Sequence, residues 1–180
     1  MKTKGALIAL ALSALLTACL PVANLQTAEP IDGQEIVVGA TGIAMISDEV
    51  AGGGLPYLAY VWGNGETEFS VSTQIGLRGG LKQKVADGFS VAAGITLPWV
   101  LFFDREAGFP FTADVALLAD VDPKITVSGR AMFVNLADLG QTWLGGASVL
   151  YREDRWMFEG GFLIGQDGVP FLNVSVAYGF

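Results

Sequence analysis

Residues 170–180 read PFLNVSVAYGF, and this stretch alternates strictly. Every second side chain is apolar, and the side chains between them are small or polar. The apolar set is Leu172, Val174, Val176, Tyr178 and Phe180. Because successive side chains of a β-strand point to opposite sides, these five residues share one face. The stretch therefore predicts a strand with one face turned toward an apolar environment.

Nine further segments upstream have strand character, and short turn signals separate most of them. The strongest signals are Gly63-Asn64-Gly65, Asp87-Gly88, Asp122-Pro123 and Asp167-Gly168, since these residues favour tight hairpins. The weakest divide is residues 77–80, where Gly79-Gly80 is the only marker. The predicted strands span residues 35–47, 55–63, 66–76, 80–86, 89–102, 111–121, 124–135, 141–151, 155–165 and 170–180.

The closing strand resembles that of bacterial outer-membrane β-barrels, whose assembly machinery reads a C-terminal aromatic residue and another two positions before it. Phe180 and Tyr178 fit that rule. The resemblance is to small barrels of the OmpA/OmpX-like class. It implies an outer-membrane location, surrounding lipid, and the barrel assembly machinery as a partner.

The spacing of the connections also favours a membrane barrel. Predicted connections alternate between short turns and longer loops, such as residues 48–54, 104–110 and 136–140, as in outer-membrane barrels. We therefore expect an all-β fold, a single antiparallel up-and-down transmembrane β-barrel with ten strands. Eight strands is the alternative if the first two segments are not both in the wall.

The first residues have the pattern of a secretory signal. Lys2 and Lys4 precede an apolar run, residues 6–16, that is too short to span a bilayer as a helix. The next four residues, LTAC, resemble a lipobox ending at Cys19, the only cysteine. We expect a signal peptide at 1–18, a lipidated Cys19 with a tether at 19–34, and a barrel at 35–180. A cut after Ala23 is the alternative, but it places Pro21 at the third position before the cleavage point.

The composition excludes several classes of function. The chain has no histidine, which removes the usual general base and most zinc and copper sites. Eighteen acids against ten bases make nucleic acid an unsuitable partner. We expect no enzymatic activity, cofactor or metal, and nothing in the sequence predicts an oligomeric state.

Charged residues on the polar faces of the strands are the candidate functional residues. By parity, the inward charges include Glu68, Arg78, Asp114, Arg130 and Glu159. We expect Arg130 to be the central counter-ion for Asp114 and Glu159, with Arg78 at the upper rim. Charges inside a narrow barrel must be paired or hydrated.

These charges leave two functions open for a membrane barrel. A fully paired interior indicates a salt-bridged, structural barrel, whereas a thin hydrated passage with an acidic excess would conduct small ions and favour cations. The alternative class is a soluble, lipocalin-like periplasmic carrier of an apolar ligand. That carrier would turn its apolar row inward and its charged row to water.

Overall fold

The computed structural model describes residues 23–46, 50–74, 76–99, 109–137, 140–166 and 168–180, without the side chains of residues 50 and 51. The expected signal peptide and Cys19 lie outside these residues. Among the described residues no helix is long and apolar enough to cross a membrane. The strands are β1 Asp32–Ile46, β2 Val50–Asn64, β3 Thr67–Thr73, β4 Gly76–Ala86, β5 Phe89–Pro98, β6 Phe111–Asp122, β7 Ile125–Asn135, β8 Gln141–Glu153, β9 Trp156–Gly165 and β10 Pro170–Gly179.

The ten strands form one closed antiparallel barrel in which each strand pairs with its neighbours in sequence. β1 and β10 close it, with a continuous register from Val37 opposite Gly179 to Met45 opposite Phe171. Closure gives every strand two partners, so no edge is left with unpaired backbone groups, as a hydrocarbon environment requires. The predicted all-β, up-and-down, ten-stranded barrel is confirmed.

The connections differ between the two ends of the barrel. At one end, which we call the turn end, four connections of two residues each lie at 65–66, 87–88, 123–124 and 154–155. The first residue of β1 and the last of β10 lie at this same end. At the opposite end, the loop end, the connection between β5 and β6 has twelve residues and that between β7 and β8 has five.

Two predicted boundaries are wrong in the first half of the barrel. Residues 50–54 were expected in a loop but belong to β2, where Gly53 pairs with Ile43 and Gly54 with Gly42. The divide between β3 and β4 falls at residues 74–75, and Gly79-Gly80 lies inside β4. Glycine destabilises a strand only modestly. Each paired residue in a membrane wall satisfies backbone hydrogen-bonding groups that have no water to bind, so the strands continue through these glycines.

The wall turns its apolar face outward and its polar face inward. Val174 at mid-wall is 70% exposed and Val115 is 45% exposed, whereas Asp114 is only 6% exposed. A lipocalin-like carrier requires the reverse arrangement. The outer face thus matches the acyl interior of a bilayer, and the inner face carries the charges.

Aromatic side chains form a band near each end of the outer wall. At the turn end, Tyr60 stacks on Trp62, Trp62 on Phe69, and Trp156 on Phe158. At the loop end, Phe111 packs against Phe133, which packs against Trp143. Aromatic belts at two levels are typical of proteins that cross a membrane.

Candidate functional site: the barrel lumen

The lumen wall carries equal numbers of acidic and basic side chains. Among the described strand residues whose side chains point inward, there are five bases and five acids. The bases are Arg78, Lys82, Lys84, Arg130 and Arg152, and the acids are Glu35, Glu68, Asp114, Asp120 and Glu159. The excess of acids over bases in the chain therefore lies at positions other than these inward-facing ones.

A cluster of one acid and two bases occupies the middle of the lumen. Asp114 accepts two hydrogen bonds from Arg78, from Nε at 3.1 Å and from Nη2 at 2.8 Å. Arg130 approaches the same carboxylate from the next strand, with Nη2 3.3 Å from Oδ1. All three side chains are buried, so the ion pairs act with little screening by water. We call these residues the central cluster.

The central cluster differs from the predicted one in its main partner. Arg78 was expected at the upper rim, but its guanidinium makes a bidentate interaction with Asp114. Arg130 is the second cation beside that carboxylate. Arg130 does reach the region of Glu159, since both line one small cavity with Ser148. The prediction misplaced Arg78 because it ended β3 at residue 76 and started β4 at residue 80.

Two glycines make room for the guanidinium of Arg78. Gly80 and Gly94 pair across β4 and β5, and both face inward. A methyl group on Gly80 would lie 2.6 Å from Nη1 of Arg78, and one on Gly94 would overlap the same guanidinium. Glycine at these two positions lets the planar fork lie against the backbone, which is the use of glycine at close approaches.

A second ion pair lies nearer the turn end. Lys82 Nζ is 2.7 Å from Glu68 Oε2, and both side chains are at most 4% exposed. At the rim, Arg152 Nη2 is 3.0 Å from Glu35 Oε1. These pairs satisfy the requirement that charges enclosed by a narrow barrel have partners.

The segment before β1 fills the turn-end half of the lumen. Residues 23–31, which we call the N-terminal segment, belong to the stretch 19–34 that was expected to be a tether. Instead Ala28 is fully buried against Ala92, Ala116 and Leu118. Leu25 packs among inward side chains of β1, β2 and β8–β10. The sequence gives no periodic pattern here because the segment is neither helix nor strand, and only the wall around it shows that it is enclosed.

Wall carboxylates bind the backbone of the N-terminal segment. Glu159 Oε2 accepts hydrogen bonds from the N–H groups of Asn24 at 2.9 Å and Leu25 at 3.0 Å. Asp120 accepts one from Ala28 at 3.3 Å, and Glu68 accepts one from Ile31 at 3.0 Å. Hydrogen bonds to ionised acceptors are stronger than hydrogen bonds between neutral groups. These wall acids therefore hold the segment along its length, from the interior of the lumen to its rim at the turn end.

Basic groups hold the segment from the other side. Lys82 Nζ donates to the carbonyl oxygens of Thr27 at 3.1 Å and Glu29 at 3.3 Å. The Glu29 carboxylate accepts the N–H of Gly88 at 2.6 Å and pairs with Lys84 Nζ at 3.0 Å. The segment is thereby fixed to four strands and one turn, through its backbone more than through its side chains.

Glu29 makes this attachment dependent on pH. The N–H of Gly88, and secondly Lys84, hold the pKa of Glu29 below its ordinary value of 4.5. A carboxyl group whose pKa is lowered on folding stabilises the fold above its ordinary pKa, and this contribution is lost as the pH falls through the lowered value.

We therefore expect Glu29→Gln to lower the melting midpoint of the compact band on gels at about pH 6, and the difference from the unchanged protein to vanish near pH 3. Glu66→Gln alters an exposed glutamate beside the 65–66 turn and is the control. A difference between Glu29→Gln and the unchanged protein that persists through the acid range would contradict the role of the Glu29 charge.

The loop-end half of the lumen is lined by apolar side chains on one side. Its buried members are Ile43, Met132, Val134, Leu144, Leu163 and Phe171. Between this layer and the N-terminal segment lie two internal cavities of about 10 Å³ each. Such a volume holds about one water molecule, so each of these two cavities is too small for a hydrated ion or a larger solute.

The remaining predicted site residues are placed as follows. Tyr178 and Phe180 lie on the outer wall at the turn end, with ring centroids 4.9 Å apart. The backbone of Phe180 exchanges hydrogen bonds with that of Ile36, which seals the closing seam. Within the described part of the chain no three His, Cys, Asp or Glu side chains are grouped to hold a metal ion.

Comparison with known proteins shows the fold of the chain but not its family. No family model and no curated protein matches it. Among solved structures, it is similar to a KdgM porin, with 15% identity and a TM-score of 0.51 over 81% of this chain and 99% of the other. A KdgM porin in complex with disordered oligogalacturonate gives 12% identity and the same TM-score and coverage.

A transmembrane β-barrel designed de novo is also similar, with 15% identity and a TM-score of 0.43 over 84% of this chain and 99% of the other. At such identities the likeness extends to the fold alone. Together with the outward apolar face and the closed ladder, the likeness to the KdgM porin shows that the chain has the fold of a transmembrane β-barrel.

Proposed function

We propose that this protein is an outer-membrane β-barrel with a narrow passage, closed by its own N-terminal segment. The observation that carries the proposal is the way residues 23–31 fill the turn-end half of the lumen, held by charged wall side chains. Its partners are outer-membrane lipid and the barrel assembly machinery, and it has no catalytic role. A barrel of ten strands encloses little more than its own inward side chains, so one extended segment of the chain is enough to close its lumen.

The contacts of the segment distinguish a removable plug from a permanent core. Four of its N–H groups bind wall carboxylates, and two of its carbonyl groups bind Lys82. Water replaces each of these hydrogen bonds when the segment leaves, which limits the net cost to about 1.5–3 kcal/mol at each charged contact. The apolar contribution comes mainly from Leu25 and Ala28, which are small relative to a barrel core.

Departure of the segment would change the charge of the open lumen. Glu68, Asp120 and Glu159 would each lose hydrogen bonds from the segment, whereas Lys82 is the one wall base that would lose its carbonyl partners. Lys84 would also lose Glu29, whereas Glu68 and Lys82 would keep each other, so Asp120 and Glu159 against Lys84 are the charges released in the vacated half. We therefore expect the open passage to prefer small cations.

The test is conductance in planar lipid bilayers. We expect the unchanged protein to be silent, and a variant lacking residues 23–30 to give discrete, cation-selective steps. Ala28→Asp is the matched point variant, because it places a charge in a fully buried contact beside Asp120 and leaves the wall intact. A peptide of residues 23–31 added to the deletion variant should close the steps again.

Both variants must first be shown to fold, by retention of a compact band in unheated gels. A folded but silent deletion variant would overturn the passage and leave a structural barrel. Steps that favour anions would keep the passage but remove the proposed cation preference, and they would assign selectivity to Arg78 and Arg130 of the central cluster instead.

A further inference from the structure

Leu25 has a backbone conformation that leucine rarely adopts. Its φ is 41°, in the left-handed region, where the β-carbon crowds the carbonyl group that follows. Two other non-glycine residues of the described chain have a positive φ, Ala137 and Asp154, and both lie in connections between strands. Leu25 lies before the first strand, inside the lumen, where no hairpin imposes the conformation. Strain of this kind persists only where the surrounding contacts enforce it.

Two sets of contacts hold Leu25 in this conformation. Its N–H and that of Asn24 both donate to Oε2 of Glu159, at 3.0 Å and 2.9 Å. Its side chain is 6% exposed and lies in the apolar cluster that includes Val37 and Met157. The angle φ is the rotation about the bond from the backbone nitrogen to Cα. With the nitrogen fixed on Glu159, this rotation decides where the side chain lies, and the left-handed value satisfies both contacts at once.

We propose that Leu25 and Glu159 form a strained latch that sets the balance between the closed and the open lumen. The inference rests on the proposed function, since it describes how the N-terminal segment is released. The strain exists only while the segment lies in the lumen, because a released segment returns to ordinary values of φ. The closed state is therefore less stable than its contacts alone would make it. Residues strained in this way cluster in switch regions, where the strain is part of the mechanism.

The latch holds the inner end of the segment as a unit. One carboxylate oxygen of Glu159 accepts both N–H groups, so movement of Leu25 away from it breaks both hydrogen bonds together. The side chain of Leu25 leaves the apolar cluster in the same step. Ala23 and Asn24 line the two small cavities beside the central cluster. Release of the latch therefore also withdraws the chain from the middle of the lumen.

A pair of substitutions at Leu25 separates the strain from the apolar contact. Leu25→Ala and Leu25→Gly both remove the side chain from the apolar cluster, but only glycine adopts the left-handed region without strain. Glycine also makes the released chain more flexible, and a control pair measures that effect. Gln26→Ala and Gln26→Gly are the matched controls, because Gln26 is the next residue and its φ is not positive.

The measurement is hydrogen exchange of the amide groups of residues 24–31, followed by mass spectrometry of the protein extracted from membranes in detergent. Exchange reports the fraction of time that the segment is released. We expect more protection in Leu25→Gly than the control pair predicts from Leu25→Ala. The ratio of glycine to alanine protection at Leu25 should exceed the ratio at Gln26 by about 5- to 30-fold. Equal ratios at the two positions would overturn the latch.

Exchange and conductance distinguish failure of the latch from failure of the passage. Each variant is first shown to fold by its compact band in unheated gels. The expected exchange ratios, together with a folded but silent variant lacking residues 23–30, would keep the strained closure and overturn the passage. Conducting steps from that deletion variant, together with equal exchange ratios, would keep the passage and overturn the latch.

Discussion

Replacing Asp114 with leucine is expected to destabilise the folded barrel by about 3–5 kcal/mol, because it leaves two arginines enclosed without their shared acid. Arg78 donates two hydrogen bonds to this carboxylate, and Arg130 lies 3.3 Å from it. Their guanidinium groups would then repel each other at mid-lumen. The measurement is the urea midpoint of the refolded protein, followed by loss of the compact band.

A triple variant separates the effect of broken pairing from that of lost polarity. In Asp114→Leu with Arg78→Met and Arg130→Met, all three charges disappear together. Apolar replacement of a complete buried ion cluster is commonly neutral or stabilising by about 1–4 kcal/mol. We therefore expect the triple variant to recover most of the stability that Asp114→Leu loses. A single variant as stable as the unchanged barrel would show that the cluster is not an ion-pair network.

The number of strands and most of their bounds could be predicted from the sequence. Side chains alternate with period two in β5, β6, β7 and β10, and the 87–88 and 123–124 turns carry residues that favour tight hairpins. These signals are local, because each depends on a few neighbouring residues. Closure then follows from physics, since an open edge has no partner in lipid.

The misplacement of Arg78 arose from a conflict between local and tertiary signals. Gly79-Gly80 is typical of the end of a strand. Arg78, Lys82 and Lys84, however, lie an even number of positions apart on both sides of it, as they would on one face of an unbroken strand. That continuity was the available signal for one unbroken β4. Gly80 has to be glycine because the guanidinium of Arg78 lies against it. Gly94, the partner of Gly80 across the ladder, lies fourteen residues further along the chain and becomes its neighbour only after folding.

The N-terminal segment could not be predicted from its own residues. It has no period, and its proline, Pro30, and its polar residues are typical of a linker. Its position is decided by groups far away in sequence, such as Glu159, which lies 135 residues from Asn24.

Phe180→Ser is expected to abolish most of the folded protein in cell membranes while leaving the refolded barrel nearly as stable as before, because it keeps the backbone hydrogen bonds with Ile36. Phe180 is 65% exposed on the outer wall, so its ring adds little to the interior. Its contact with Tyr178, at a centroid distance of 4.9 Å, contributes at most about 1.5 kcal/mol. A large loss in cells would then reflect recognition during assembly.

Phe162→Ser provides the matched control for this substitution. Phe162 is another aromatic residue on the outer wall, 42% exposed on β9, but it lies outside the C-terminal pattern. The readout is the ratio of compact to unfolded band in isolated membranes, compared with the urea midpoint of refolded protein. Equal losses in cells for both variants would mean that Phe180 acts through lipid contact. Loss confined to Phe180→Ser, with an unchanged midpoint, would assign it to recognition by the assembly machinery.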